Sequence, residues 1–311
     1  MRSGGTAAVE LAATMLGPLG QRDVPLGPMT TYRVGGAAAV LVRVECDEHL
    51  RAVSTVVRET GVEVLVVGNG SNLLVADRGF EGLAVVLGEA FSTIDIDGTV
   101  VRACGGALLP VVARRTAACG LTGFEWAVGV PGSIGGAVRM NAGGHGSDMA
   151  AVLSRIRRFD LATGEDEIVP ADRLGLAFRH SGIAASQLVL WAELQLAPGD
   201  VSTSEELIAE VVRWRREHQP GGANAGSVFV NPEGDSAGRL IDAAGCRGLR
   251  MGSARVSEKH ANFIQADEGG SADDIERLMR EVRARVERHS GIRLRPETRL
   301  VGFDPAPWGG A

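Results

Sequence analysis

The chain has 311 residues, room for two or three compact units. Its 45% apolar and 23% charged residues exclude a disordered protein, and 32 basic against 38 acidic side chains build no nucleic-acid footprint. No apolar run approaches a membrane span and no charged-then-apolar start reads as a signal peptide, so a cytoplasmic protein is expected.

Glycine supplies 43 residues, about twice the ~7% average, which marks tight turns or close backbone approach to a ligand. Aromatics are 4%, so the cores must rest on Val, Leu, Ala and Ile. Cys46, Cys104, Cys119 and Cys246 lie far apart without a C-x-x-C pair and read as reduced, mostly buried thiols. No histidine stands at ligand spacing to a second His or Cys, so no metal site is expected.

In chain order, residues 1–25 read as an Ala/Gly-rich arm, a loose segment or marginal helix. Tyr32-Arg33-Val34-Gly35-Gly36 leads into a strand at Ala39–Val44. Asp47 opens a helix with Leu50, Val53, Val56 and Val57 on its apolar face, ended by Gly61. A buried strand, Glu63–Val67, runs into Gly68-Asn69-Gly70-Ser71-Asn72 and out through Leu73-Leu74-Val75, and Leu83–Leu87 is another buried run.

Asp97-Gly98 turns a hairpin between Thr93–Ile96 and Thr99–Arg102, and a helix follows over Leu108–Ala118. Beyond the glycine-dense stretch Val128–Gly146, strands are expected near Arg157–Asp160, Glu167–Val169 and Gln187–Leu196. Pro198-Gly199-Asp200 marks a boundary. A charged helix then runs to about His218, and Ser236–Ala244 forms a short one. Ser271–His289 is the clearest, with a capping-box-like start and a stripe of Ile275, Leu278, Met279, Val282 and Val286. Ile292–Val301 closes the chain as a strand interrupted by Pro296. Strands and helices alternate without a repeat, which gives an α+β protein.

Two glycine segments suit a ligand. Gly68–Asn72 follows a buried strand and is either a nest of amides for a pyrophosphate or a tight hairpin turn; it lacks the third glycine and following helix of a Rossmann unit. Gly129–Gly144 holds six glycines in sixteen positions, more than a turn needs. As a linker it would expose Val130, Ile134, Val138 and Met140, so a ligand cradle is favoured. Ser227 in Gly226-Ser227-Val228-Phe229, Arg179 in Phe178-Arg179-His180-Ser181, and Glu297 beside Pro296 each read more simply alone: a local turn hydroxyl, a surface charge, an edge-strand acid. Ser257–Phe263 fits a solvated turn as well as a site.

In order, these segments resemble the UDP-N-acetylenolpyruvoylglucosamine reductase family, from about Leu26 to Gly302. Further matching stretches are Asp77-Arg78-Gly79-Phe80, Gly123-Phe124-Glu125, Ala237–Gly245, Val256–Ile264 and Leu294–Gly302. The resemblance implies a flavin-binding region of the vanillyl-alcohol-oxidase (PCMH) type at 26–199, in subdomains 26–90 and 91–199. A C-terminal α+β substrate domain at 200–303 and a tail at 304–311 would follow.

It also implies non-covalent FAD, NADPH as co-substrate and a UDP-amino-sugar substrate, in a monomer that engages neither nucleic acid nor membrane. Arg179, Ser227 and Glu297 match the catalytic positions: carboxylate partner, proton donor and partner carboxyl. FAD contacts fall at Tyr32, Gly68, Asn69, Gly70, Ser71, Asn72, Leu73, Gly129, Pro131, Gly132, Ser133, Gly136 and Ala137. Substrate contacts fall at Asn141, Gly143, Asn231, His260 and Asn262, with Arg179 and Ser227. The short Gly182–Ser186 stretch places the chain with the subclass that lacks an inserted tyrosine-bearing loop. Val230 and His218 replace basic residues common in the family.

Overall fold

The computed structural model describes residues 3–309. The chain forms two compact units, each assembled from separated segments. Among the described residues the first comprises 3–22, 39–69 and 81–215; the second comprises 23–38, 70–80 and 216–309. This differs from the contiguous division drawn from the sequence. Residues 23–38 and 70–80 cluster with the C-terminal part, and 201–215 with the N-terminal part.

The first unit begins with helix α1, Ser3–Leu16, where a loose segment or marginal helix was expected. Alanine is the best helix former, and Val9, Ala12, Ala13 and Leu16 recur at helical spacing to make a buried face. That face joins Leu50, Val53, Val56 and Val57 of α2, Asp47–Thr60, in one core. Gly61, left-handed at φ 64°, ends α2 as expected. The sheet beside them runs in the order Gly20–Pro25, Ala37–Val44, Phe80–Leu87, Val64–Val67, with the last pair parallel. A five-stranded antiparallel sheet has the order Asp166–Pro170, Leu153–Asp160, Gln187–Gln195, Val100–Cys104, Ile94–Asp97. It packs with α3, Leu109–Ala118, and α4, Ile134–Met140, and with Ile208 and Val211 of α5, Val201–His218.

The second unit holds α6, Ala237–Ala243, and α7, Ala272–Ser290. Its strands are the trio Arg250–Met251, Ala254–Val256, Ile264–Ala266, and a parallel pair, Leu73–Val75 with Arg299–Val301. The α7 stripe predicted from the sequence lies in its core beside Tyr32, Val228 and Phe229. The closing strand is only three residues long. Pro296 has no N–H to give a ladder, and the chain before it bonds irregularly to 228–230. All four cysteines are free, but only Cys246 is buried and Cys119 is exposed, against the expectation of mostly buried thiols. Among the described residues no group of His, Cys, Asp or Glu is arranged to hold a metal, and no helix is long and apolar enough to cross a membrane.

Candidate active site

In the first unit the two glycine segments meet. The Asn69 amide donates to the Pro131 carbonyl at 2.7 Å, and Ser133 Oγ lies 2.9 Å from where a Cβ on Gly68 would sit. A side chain at Gly68 would fill the space between the segments. The second segment is more than a loop, because its middle winds into the short helix α4 with Ser133 at the N-cap position. Two glycines, Gly135 and Gly136, hid that helix in the sequence. Its first two amides are already committed, Ile134 N–H to the Ala107 carbonyl and Gly135 N–H to the Gly105 carbonyl. Ala137 packs in the core and its N–H bonds to the Ser133 carbonyl. Gly68, Asn69, Pro131, Gly132, Ser133 and Gly136 thus lie where the two segments meet.

What braces this cradle has no signature in the sequence. Arg215 of α5 donates to the Gly129 carbonyl, and burial lowers the pKa of its guanidinium from the ordinary value. His145 stands edge-on to Trp214 with ring centroids 5.0 Å apart. Burial, then the Arg215 charge, holds its imidazole below the ordinary range. Gly143 pairs with Asp148 in a miniature hairpin, and a Cβ there would fall 2.5 Å from the Ser147 carbonyl oxygen, so its lack of a side chain serves the chain's own close approach.

Arg179 sits at the tip of a tight turn, in left-handed backbone at φ 55°, closed by reciprocal Ala177–His180 hydrogen bonds of 3.0 Å. Its guanidinium carbon lies 5.1 Å from the ring centre of exposed Phe178.

The second unit brings Ser227 and Glu297 onto one piece of backbone. Glu297 N–H donates to the Val228 carbonyl at 2.8 Å, and Val230 N–H donates to the Arg295 carbonyl at 3.0 Å. From the other side Asn262 holds Val228 and Phe229. Asn72 Nδ2 donates to the Glu297 carbonyl at 3.0 Å, and Leu73 pairs with Arg299.

Several expected contacts also have structural duties. Gly68 and Asn69 belong to the first unit and residues from Gly70 to the second. Gly70 is buried at φ 60°, and a Cβ on it would lie 2.1 Å from the Met29 carbonyl oxygen. Ser71 accepts Thr31 Oγ1 through its carbonyl at 3.5 Å, and Leu73 is buried in its parallel ladder. Tyr32 is fully buried in the second unit's core, which raises its phenol pKa. Asn231 Oδ1 accepts the Ala237 N–H at 3.0 Å and caps α6. Asn262 is 2% exposed and spent on backbone. His260 remains half-buried and accessible, its Nδ1 accepting the Asn262 N–H at 3.2 Å.

Comparison with known proteins places these features. Residues 38–171 match the family described as FAD binding domain, which makes the chain an oxidoreductase of the flavoprotein class with the PCMH-type α+β fold. Residues 218–301 match UDP-N-acetylenolpyruvoylglucosamine reductase, C-terminal domain. The chain is 46% identical over 282 residues to the UDP-N-acetylenolpyruvoylglucosamine reductase of Paramagnetospirillum magneticum, covering 90% of this chain and 91% of that protein. It is 40% identical over 287 residues to that of Rubrobacter xylanophilus, covering 92% and 96%. The crystal structure of UDP-N-acetylenolpyruvylglucosamine reductase (MurB) from Thermus caldophilus matches with a TM-score of 0.80 at 35% identity, covering 91% of this chain and 98% of that one. The chain belongs to the UDP-N-acetylenolpyruvoylglucosamine reductase family.

Proposed function

We propose that the chain reduces the enolpyruvyl ether of a UDP-amino sugar to the lactyl ether, giving UDP-N-acetylmuramate for peptidoglycan precursors, with NADPH as reductant. The observation that carries this reading is the clamped backbone that sets Ser227 beside Glu297, in a chain of this family. In functional terms, 26–199 binds flavin and 200–303 binds substrate.

Gly68, Asn69, Pro131, Gly132, Ser133 and Gly136 would hold non-covalent FAD, which supplies hydride chemistry when bound. Adding hydride to the terminal enolpyruvyl carbon leaves negative charge on the carbon that bears the carboxylate. The planar Arg179 guanidinium is suited to that carboxylate and stabilises the charge delocalised onto it. Ser227 gives its proton to the charged carbon. A hydroxyl is a weak acid in water, so it must be held in place, and the bonds to Val228 and Phe229 hold its backbone. Glu297 acts as the partner carboxyl on the neighbouring strand segment.

Ser227→Ala separates the half-reactions. Flavin reduction by NADPH should stay near the parent rate, while reoxidation by the enolpyruvyl substrate falls on the order of 100- to 10,000-fold. Parent turnover in Ser227→Ala would return this serine to a structural turn.

A further inference from the structure

Asn141 matches a family position expected to meet substrate, yet it is only 3% exposed and its side chain is fully engaged within the first unit. Nδ2 donates to the Ala177 carbonyl and to Asp148 Oδ2, each at 3.1 Å, and Oδ1 accepts the Ala150 N–H at 2.9 Å. Two amide hydrogens meet two acceptors, so no donor is left for a ligand. Ala177 is the residue that opens and closes the Arg179 turn through its bonds with His180. The same end of α4 holds the far side of that turn. Ser181 Oγ donates to the Arg139 carbonyl at 2.6 Å, and Arg139 donates to the Ile183 and Ala184 carbonyls at 2.6 and 2.7 Å.

We propose that Asn141 is a positioning residue for Arg179, fixing the turn from which the guanidinium reaches the substrate carboxylate. The proposal rests on the reading of Arg179 given above. A planar fork on a carboxylate needs placement within roughly 0.5 Å, and a displacement of about 1 Å can cost 100-fold in rate. Phe178 at the tip of the turn is 66% exposed and Arg179 is left-handed, so the bonds at the two ends of the turn set its placement.

The residue type follows from the same geometry. Asn141 ends α4 at φ 39°, a left-handed position that glycine, asparagine and aspartate tolerate best. Glycine brings no donor for Ala177. Aspartate brings none either and sets a second carboxylate against Asp148. Asparagine alone of the three meets every demand of the site.

Asn141→Gly keeps the backbone allowed and removes only the side chain. With the flavin-loaded protein, flavin content and reduction by NADPH should be unchanged, and substrate-driven reoxidation should slow roughly 10- to 100-fold. Hydrogen exchange of the 174–184 peptide, measured without substrate, should speed up. In the Arg179→Ala background, Asn141→Gly should add no further loss, because both changes remove one function. Additive losses, parent-like reoxidation in Asn141→Gly, or unchanged exchange would each overturn the proposal. Parent-like reoxidation in Arg179→Ala would instead sink the reading of Arg179, and this inference with it. An impaired Arg179→Ala beside an unimpaired Asn141→Gly would sink this inference alone.

Discussion

Asn262 pairs with the main chain of Phe229 in both directions: Oδ1 accepts its N–H at 3.0 Å and Nδ2 donates to its carbonyl at 2.8 Å. The Asn262 carbonyl also takes the Val228 N–H at 2.9 Å. The side chain thus imitates a neighbouring strand where the chain has none, two residues after Ser227.

Removing that side chain strands two buried polar groups, because Phe229 is 1% exposed. Asn262→Ala should therefore lose about 2–4 kcal/mol of stability, more than a surface change of the same size. Asn262→Asp should do no better, since it keeps the acceptor, loses the donor and buries a charge. Urea unfolding checks both, and a parent midpoint in Asn262→Ala would show that the clamp contributes nothing.

The contrast between Asn262 and α7 explains what was legible in the sequence. The α7 helix announces itself through a capping serine and apolar residues at helical spacing, signals written in consecutive side chains. The duties of Asn72, Asn141, Asn231 and Asn262 are written nowhere, because each partner is partly or wholly backbone, which every residue carries alike. The same reasoning covers the glycines. Their density pointed to Gly68 and Pro131–Gly136, which the fold brings together, while Gly70 and Gly143 serve close approach of the chain to itself. Where alanine diluted the pattern, α1 read as no more than a marginal helix, and where glycine did, α4 was missed.

The N–H and carbonyl of Glu297 bond to Val228 and Asn72, and these main-chain bonds survive a change of its side chain. Glu297→Gln and Glu297→Ala should both slow substrate-driven flavin reoxidation and leave reduction by NADPH intact. The gap between the two variants measures charge against occupancy. Reoxidation at the parent rate in both would remove Glu297 from the catalytic group.

His260 gives the pH dependence a sign. Burial first, then the Arg247 charge, holds its imidazole below the ordinary range, and its Nδ1 is occupied as an acceptor from Asn262 N–H. Protonation is harder in the folded chain than in the unfolded one. Its contribution to stability is therefore complete above the unfolded value of about 6.5 and is lost as pH falls through the lower folded value. NMR titration of the folded protein should place His260 below about 6.5, and unfolding between pH 7.5 and 5 should depend less on pH in His260→Gln. A folded-state titration at or above the ordinary value would reverse the sign and refute the argument.

Asp77 belongs to a stretch that marked the family resemblance, and the structure gives its carboxylate a mechanical duty. One oxygen accepts the Ala272 N–H at 2.9 Å; the other accepts the Asp273 N–H at 3.2 Å and the Ser271 hydroxyl. Asp273 answers by accepting the Asp77 N–H at 3.2 Å, a capping exchange between segments almost two hundred residues apart in sequence. These are the amides a helix start leaves unpaired, and the negative charge also suits the positive end of α7. Asp77→Ala should cost about 1–2 kcal/mol, the usual price of a lost N-terminal cap. Asp77→Asn keeps an acceptor oxygen and loses the charge, so it should cost less, and its deficit should shrink in high salt. Because Ile275, Leu278, Met279, Val282 and Val286 of α7 all lie in the second unit's core, the loss should register there as faster hydrogen exchange over residues 272–278. Equal stability of Asp77→Ala and the parent, with exchange over 272–278 unchanged, would mean that the Ser271 cap alone holds the start of α7.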